Sequence, residues 1–183
     1  MDKNIEKTLK KLGKFKVGVF VDNSNLYHAQ KDANWWIDWK KFKLLLQKQL
    51  NISFYNFYIA VPDKSDVDYR STKGFITKLS KFSTIKTKPM KYIKTRAGVI
   101  RKGDVDVEIV LDVVRNIKKL DAVIIVAGDS DYLELKNWVI KDNKKGIVFA
   151  CLRNHIAWEY KYCWHIYLDD LGGLIEYKNK PRV

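Results

Sequence analysis

Three short stretches carry carboxylates in patterns that could do chemistry. FVDNSN holds Asp22 and Asn25, KGDVDVEIVLD holds Asp104, Asp106, Glu108 and Asp112, and AGDSDY holds Asp129 and Asp131. A lone aspartate after a strand needs no more explanation than a helix cap or a turn. Several of them brought to one edge would repel each other and raise each other's pKa values unless cations neutralised them. The donors are all oxygen. His28, His155 and His165 share no ligand spacing, and Cys151 and Cys163 lack CxxC spacing. Oxygen-only sets suit Mg²⁺ or Mn²⁺ rather than zinc. Carboxylate-held ions of this kind on a strongly basic protein point to phosphodiester chemistry.

Those acids require elements that deliver them to a common rim. FKVGVFVD (15–22), ISFYNFYIAV (52–61), the run from Ala122 to Ala127 and GIVFACL (146–152) are apolar runs of strand length, with HIYLDDL (165–171) as a last strand or edge. Unbroken runs of this sort belong to strands buried on both faces of a parallel sheet. Between them, helical spacing predicts helices over 35–50, 65–82, 103–116 and 132–142, with shorter ones over 2–12 (a helix or a loose arm) and 155–164. NSNLYHAQ, after Asp22, reads as a cap or turn, and 85–102 as a strand or hairpin. Strands alternating with helices imply a parallel α/β sheet wrapped on both faces. Open sheets of this kind bind ligands beyond the carboxyl ends of their strands, where Asp22, Asp129 and Asp131 fall.

The segment 103–116 sets its acids among Val, Ile and Leu, which predicts a buried helix whose carboxylates must be paired or bind metal. Asp106 and Asp112 lie about 9 Å apart along an ideal helix axis and roughly 120° apart around it, too far to share an ion directly. Asp106, in the first turn, is the candidate ligand. Asp112 is the candidate for supporting work, such as orienting a lysine. Asp104 fits the N-cap, and Glu108 faces solvent, Lys102 or Arg115. Ser130 could offer its hydroxyl or amide to a phosphate.

The chain has 183 residues, 46% of them hydrophobic, and 35 Lys and Arg against 21 Asp and Glu, for a net charge of +14. One domain with a full core is expected. The charge favours a polyanion, nucleic acid before anionic membrane. Lys and Arg number nine between Lys78 and Lys102. There Lys88, Lys91, Lys94, Arg96 and Arg101 could grip phosphates and Tyr92 could stack on a base. Lys102 could anchor a phosphate or pair with a site acid. Trp35, Trp36 and Trp39 read as core or as a homodimer contact. No apolar run is long enough to cross a membrane, the N-terminus lacks a secretory pattern, and two cysteines fit a reduced, cytoplasmic protein.

Taken in order, FVDNSN, KGDVDVEIVLD and VAGDSDYLEL resemble the NYN domains of the PIN-like ribonuclease superfamily, from about Phe15 to Leu171. The resemblance implies a three-layer α/β/α sandwich around a mainly parallel sheet, PIN-like and Rossmann-like. It implies a Mg²⁺- or Mn²⁺-dependent endoribonuclease acting on single-stranded or structured RNA. Asp22, Asp106, Asp129 and Asp131 then become metal-holding catalytic residues, supported by Asn25, Asp112, Ser130 and Lys102. Ala127 stands where the family motif often has Ser, Tyr132 where Phe is common, and Ile109 at the helical motif's Leu. The expected division is a basic N-terminal helix or arm over 1–14, the nuclease domain over 15–176 and a polar tail over 177–183. Two other functions share these residues: a non-catalytic RNA-binding module, and a small-molecule phosphatase or nucleotide-binding protein. Against the last, the chain lacks GxxxxGK[ST] and GxGxxG motifs, and FVDNSN lacks a second aspartate two positions after the first.

Overall fold

A computed structural model of the chain describes residues 3–178. In chain order the elements are α1 (Lys3–Leu12), β1 (Lys16–Asp22), α2 (Asn23–Asp32), α3 (Trp39–Gln47), β2 (Asn51–Val61), α4 (Tyr69–Leu79), β3 (Thr84–Pro89), β4 (Lys91–Thr95), β5 (Gly98–Lys102), α5 (Asp106–Asn116), β6 (Ala122–Val126), α6 (Leu133–Asn137), β7 (Gly146–Cys151) and β8 (His165–Tyr167). Six strands form one sheet in the order β3-β2-β1-β6-β7-β8, every neighbouring pair parallel. Helices flank it as an α/β sandwich. β4 and β5 form a separate, exposed antiparallel hairpin.

The central strands are apolar because both faces are covered. Val17, Val19, Phe20 and Val21 of β1 and every residue of β6 are fully buried. From β1 the chain winds out through β2 to β3, returns to β6 beside β1, and winds the other way through β7 and β8. The strand order therefore reverses between β1 and β6. The crevice beyond their carboxyl ends is the position such a sheet offers a ligand. Asp22 closes β1, and Asp129 follows β6 by three residues.

Some elements differ from the sequence expectation. NSNLYHAQ begins helix α2 rather than a turn, because Asp22 itself caps it by accepting the Asn25 amide at 3.0 Å. The helix expected from 35 starts only at Trp39. Ile37 bridges to Glu176, and the Asp38 and Tyr177 amides bond the Ile175 and Trp36 carbonyls, so 35–38 is extended. Trp39 joins the core, edge-on to Phe57. α1 is docked through Ile5, Leu9 and Leu12, all buried. The end of the expected polar tail, 179–183, lies outside the described residues.

Helix α5 departs most from the expectation. It is not buried all round: Val107, Leu111 and Val114 are 64%, 45% and 41% exposed. Only Ile109, Asp112 and Val113 face fully inward, so most of the helix's acids never needed a buried partner. Val105, not Asp104, occupies the N-cap position, and Asp104 stands exposed, paired with Lys102 at 3.1 Å. Glu108 pairs with Lys88 at 2.9 Å rather than with Lys102 or Arg115.

Candidate active site

Asp22 is the buried member of the acidic rim. One oxygen accepts the Asn25 amide and the other accepts the Tyr132 hydroxyl at 3.0 Å. Burial pushes its carboxyl up to about 6, and the neighbouring Asp106 adds to the rise, while the Asn25 and Tyr132 hydrogen bonds oppose it. Asp106 opens α5 and is half-buried. Asp129 accepts the Asp131 amide at 3.1 Å and starts the short turn Ser130–Tyr132. Asp131 is exposed, yet its carboxyl is raised, first by Asp129, then by partial desolvation, Asp106 and Asp104. Asp106 is thus the common neighbour of Asp22 and Asp131. Ser130, between Asp129 and Asp131 in sequence, is exposed.

Three ties hold these segments in register. The Asn25 side chain accepts the Gly128 amide at 2.9 Å, joining the end of β1 to the end of β6. Ser24 donates to the Gly103 carbonyl at 3.1 Å, fixing the approach to α5. Tyr132 bonds Asp22 across 110 residues of sequence. Ser24 and Tyr132 escaped the sequence reading. The signal for Tyr132 was the tyrosine standing in the family's Phe position, whose added hydroxyl is the group that reaches Asp22.

Asp112 sits apart from this rim. It is buried and accepts hydrogen bonds from Asn56 at 3.0 Å, from the Tyr58 hydroxyl and from Asn116 at 3.2 Å, with Lys86 paired to it at 2.6 Å. Burial alone would raise its carboxyl. The Lys86 and Tyr58 bonds, the Lys86 charge and Asn56 overcome that and hold it below the usual carboxylate range. Asp112 therefore orients a lysine and two strand side chains.

The basic candidates are divided. Arg101 pairs with Asp66 and Asp68, and the Tyr92 hydroxyl donates to Asp66 while accepting the Asp63 amide. Lys88 and Lys102 are spent on Glu108 and Asp104. Lys91, Lys94 and Arg96 lie on the exposed hairpin, in no ion pair among the described residues.

The side-chain donors at the rim are all carboxylate oxygens, the type that hard divalent cations take. Among the described residues none of Asp22, Asp106, Asp129 and Asp131 is in an ion pair, although the chain carries +14. Carboxylates left without ion pairs on a basic protein are groups that an external cation would neutralise. As arranged, no three of the acids, histidines and cysteines among the described residues stand close enough to hold an ion.

The raised Asp22 carboxyl makes a pH prediction for the chain in EDTA. A carboxyl that titrates near 6 when folded and near 3.8 when unfolded favours the fold fully below 3.8, and that contribution is lost as pH rises towards 6. Asp22→Asn, which cannot ionise, should gain in Tm relative to wild type across that interval and hold the difference above it. A Tm difference that stays flat with pH would show that Asp22 titrates as an ordinary carboxylate.

A parallel α/β sandwich with acids at its switch point is the nuclease-type architecture of PIN-like proteins. The chain belongs to the NYN domain family, whose model matches residues 16–168. It is 22% identical over 171 residues to the Low amplitude and bright protein LabA of Synechococcus elongatus, covering 91% of this chain and 90% of that protein. Its fold is similar to the crystal structure of a protein of unknown function from Vibrio parahaemolyticus, with a TM-score of 0.70 and 22% identity over 90% of this chain and 98% of the other. No helix among the described residues is long and apolar enough to cross a membrane.

Proposed function

We propose that this chain is a metal-dependent endoribonuclease of the reducing cytoplasm, hydrolysing RNA phosphodiester bonds. The observation that carries the proposal is the set of four carboxylates, in no ion pair among the described residues, at the switch point of a basic NYN domain. Asp22, Asp106, Asp129 and Asp131 would hold Mg²⁺ or Mn²⁺. When bound, the ion supplies an activated water and stabilises the charge that develops on the leaving oxygen. The chain's own work is positioning. Tyr132 and the Asn25 amide fix both oxygens of Asp22, each of which keeps a further lone pair. The Asn25–Gly128 bond sets where Asp129 stands, and Ser24 sets the loop that leads to Asp106. Lys91, Lys94 and Arg96 supply phosphate contacts, so RNA affinity should fall steeply with added salt.

The test is cleavage of single-stranded RNA in Mn²⁺ or Mg²⁺ with and without EDTA. Cleavage that stops with EDTA is expected, and equal cleavage in EDTA would end the metal mechanism. A non-catalytic RNA-binding module is the second reading, and the spacing of the acids favours it, since no three are drawn to ion-holding distance. RNA binding retained without any cleavage under Mn²⁺ would establish that reading instead.

A further inference from the structure

The loop between β7 and β8 is tied to the acidic rim and carries aromatic rings in solvent. The Ala157 amide donates to the Gly128 carbonyl at 2.7 Å, which joins this loop to the residue preceding Asp129. One helical turn follows, Trp158–Tyr162. Its middle residue faces inward: Tyr160 is fully buried, its ring stacked on Phe149 with centroids 3.7 Å apart and planes within 4°. With Ala157 and Tyr160 holding the segment against the rim, Trp158 and Tyr162 are left 65% and 84% exposed, their rings edge-to-face at 6.1 Å.

Fold stability does not account for two large rings turned out together, because side chains this exposed add little core. Rings at a protein surface bury their faces when a flat partner arrives, and every nucleobase offers one. The surroundings select that partner over an apolar one. The chain carries +14, Glu159 and Lys161 balance each other between the two rings in sequence, and the adjoining acids suit phosphodiester chemistry. A polyanion with unstacked bases satisfies charge and rings at once, whereas a duplex keeps its bases inside.

We propose that Trp158 and Tyr162 form a base-stacking platform that holds single-stranded RNA against the Asp129 edge of the site. This deepens the ribonuclease proposal and rests on it for the identity of the polymer. The platform selects single strands over duplexes, while the hairpin lysines bind phosphates of either. Stacking also leaves the number of phosphates contacted unchanged, so it leaves the salt dependence of binding unchanged.

The experiment measures binding of a labelled single-stranded RNA and its duplex in EDTA, where cleavage does not interfere, for three proteins: wild type, Trp158→Ala/Tyr162→Ala and Trp158→Phe/Tyr162→Phe. Circular dichroism checks that each is folded. The alanine pair should lose affinity for the single strand by about tenfold or more, with an unchanged salt slope and little change on the duplex. The phenylalanine pair should bind nearly as wild type. Wild-type affinity in the alanine pair overturns the platform, as does an equal loss on duplex and single strand. So does a change in oligomeric state by light scattering with RNA affinity intact, which would make the rings a protein contact. The two proposals fail separately. Absent metal-dependent cleavage with the affinity loss present defeats the ribonuclease and leaves the platform standing.

Discussion

Replacing Asp112 with alanine is expected to lower the unfolding free energy by about 3 kcal/mol, the low end for breaking a buried charged network. Its carboxylate is the common acceptor for Asn56, Tyr58, Asn116 and Lys86. Asn56 and the Tyr58 ring are buried, so their polar groups would be left without partners. Lys86 is 41% exposed and can turn to water, which is why the loss should not reach the top of the range. The sign with pH follows from the direction of the shift. A carboxyl held below its usual value when folded contributes stability above its unfolded pKa and loses it as pH falls through the folded one. The gap between wild type and Asp112→Ala should therefore narrow in acid. Denaturant unfolding at neutral and acid pH checks both parts. A neutral-pH loss under about 1 kcal/mol, ordinary for a surface change, would remove Asp112 from its supporting role.

Gly128→Ala should cost as much, about 3 kcal/mol or more, by overpacking against backbone. A Cβ there would lie 1.8 Å from the His155 carbonyl oxygen and 2.7 Å from the Cys151 sulfur. The loop from β7 cannot withdraw without breaking the Ala157–Gly128 bond, so Asp129 would move with it. Gly74→Ala is the control. A Cβ at Gly74, within α4, meets nothing within 4 Å and should stabilise by up to about 1 kcal/mol through helix propensity. Paired melting curves decide it. Equal, small effects at the two glycines would mean that the rim tolerates a side chain behind Asp129.

The sheet was legible because strands buried on both faces are written as unbroken apolar runs, as from Val17 to Val21 and from Ala122 to Ala127. The rim acids were legible because Asp22 and Asp129 sit directly after such runs. Helix α2 was hidden because one residue serves twice: Asp22 is a rim acid and also the helix cap. α5 misled for a different reason. Its apolar residues occur on both faces, and periodicity cannot say that Val107, Leu111 and Val114 meet water. Three of the four partners of Asp112 come from β2 and β3, with Asn56 and Tyr58 lying 56 and 54 residues away, beyond any local pattern. Arg101 and Tyr92 read as nucleic-acid contacts until the fold brought Asp66 to them. The exposed pair Trp158 and Tyr162 could not be told from core aromatics before Tyr160 was seen to take the inward position.

We propose above that the acids at the β1–β6 switch point cut RNA. The most direct test of that proposal is a side-by-side assay of wild type and Asp129→Asn on matched single-stranded RNA, single-stranded DNA and duplexes in Mn²⁺ or Mg²⁺. Wild type should cut the single-stranded RNA. Asp129→Asn should bind it but cut at least about a hundredfold more slowly, since even the partners of metal ligands are commonly worth tens of fold. Cleavage by Asp129→Asn at the wild-type rate would contradict the account.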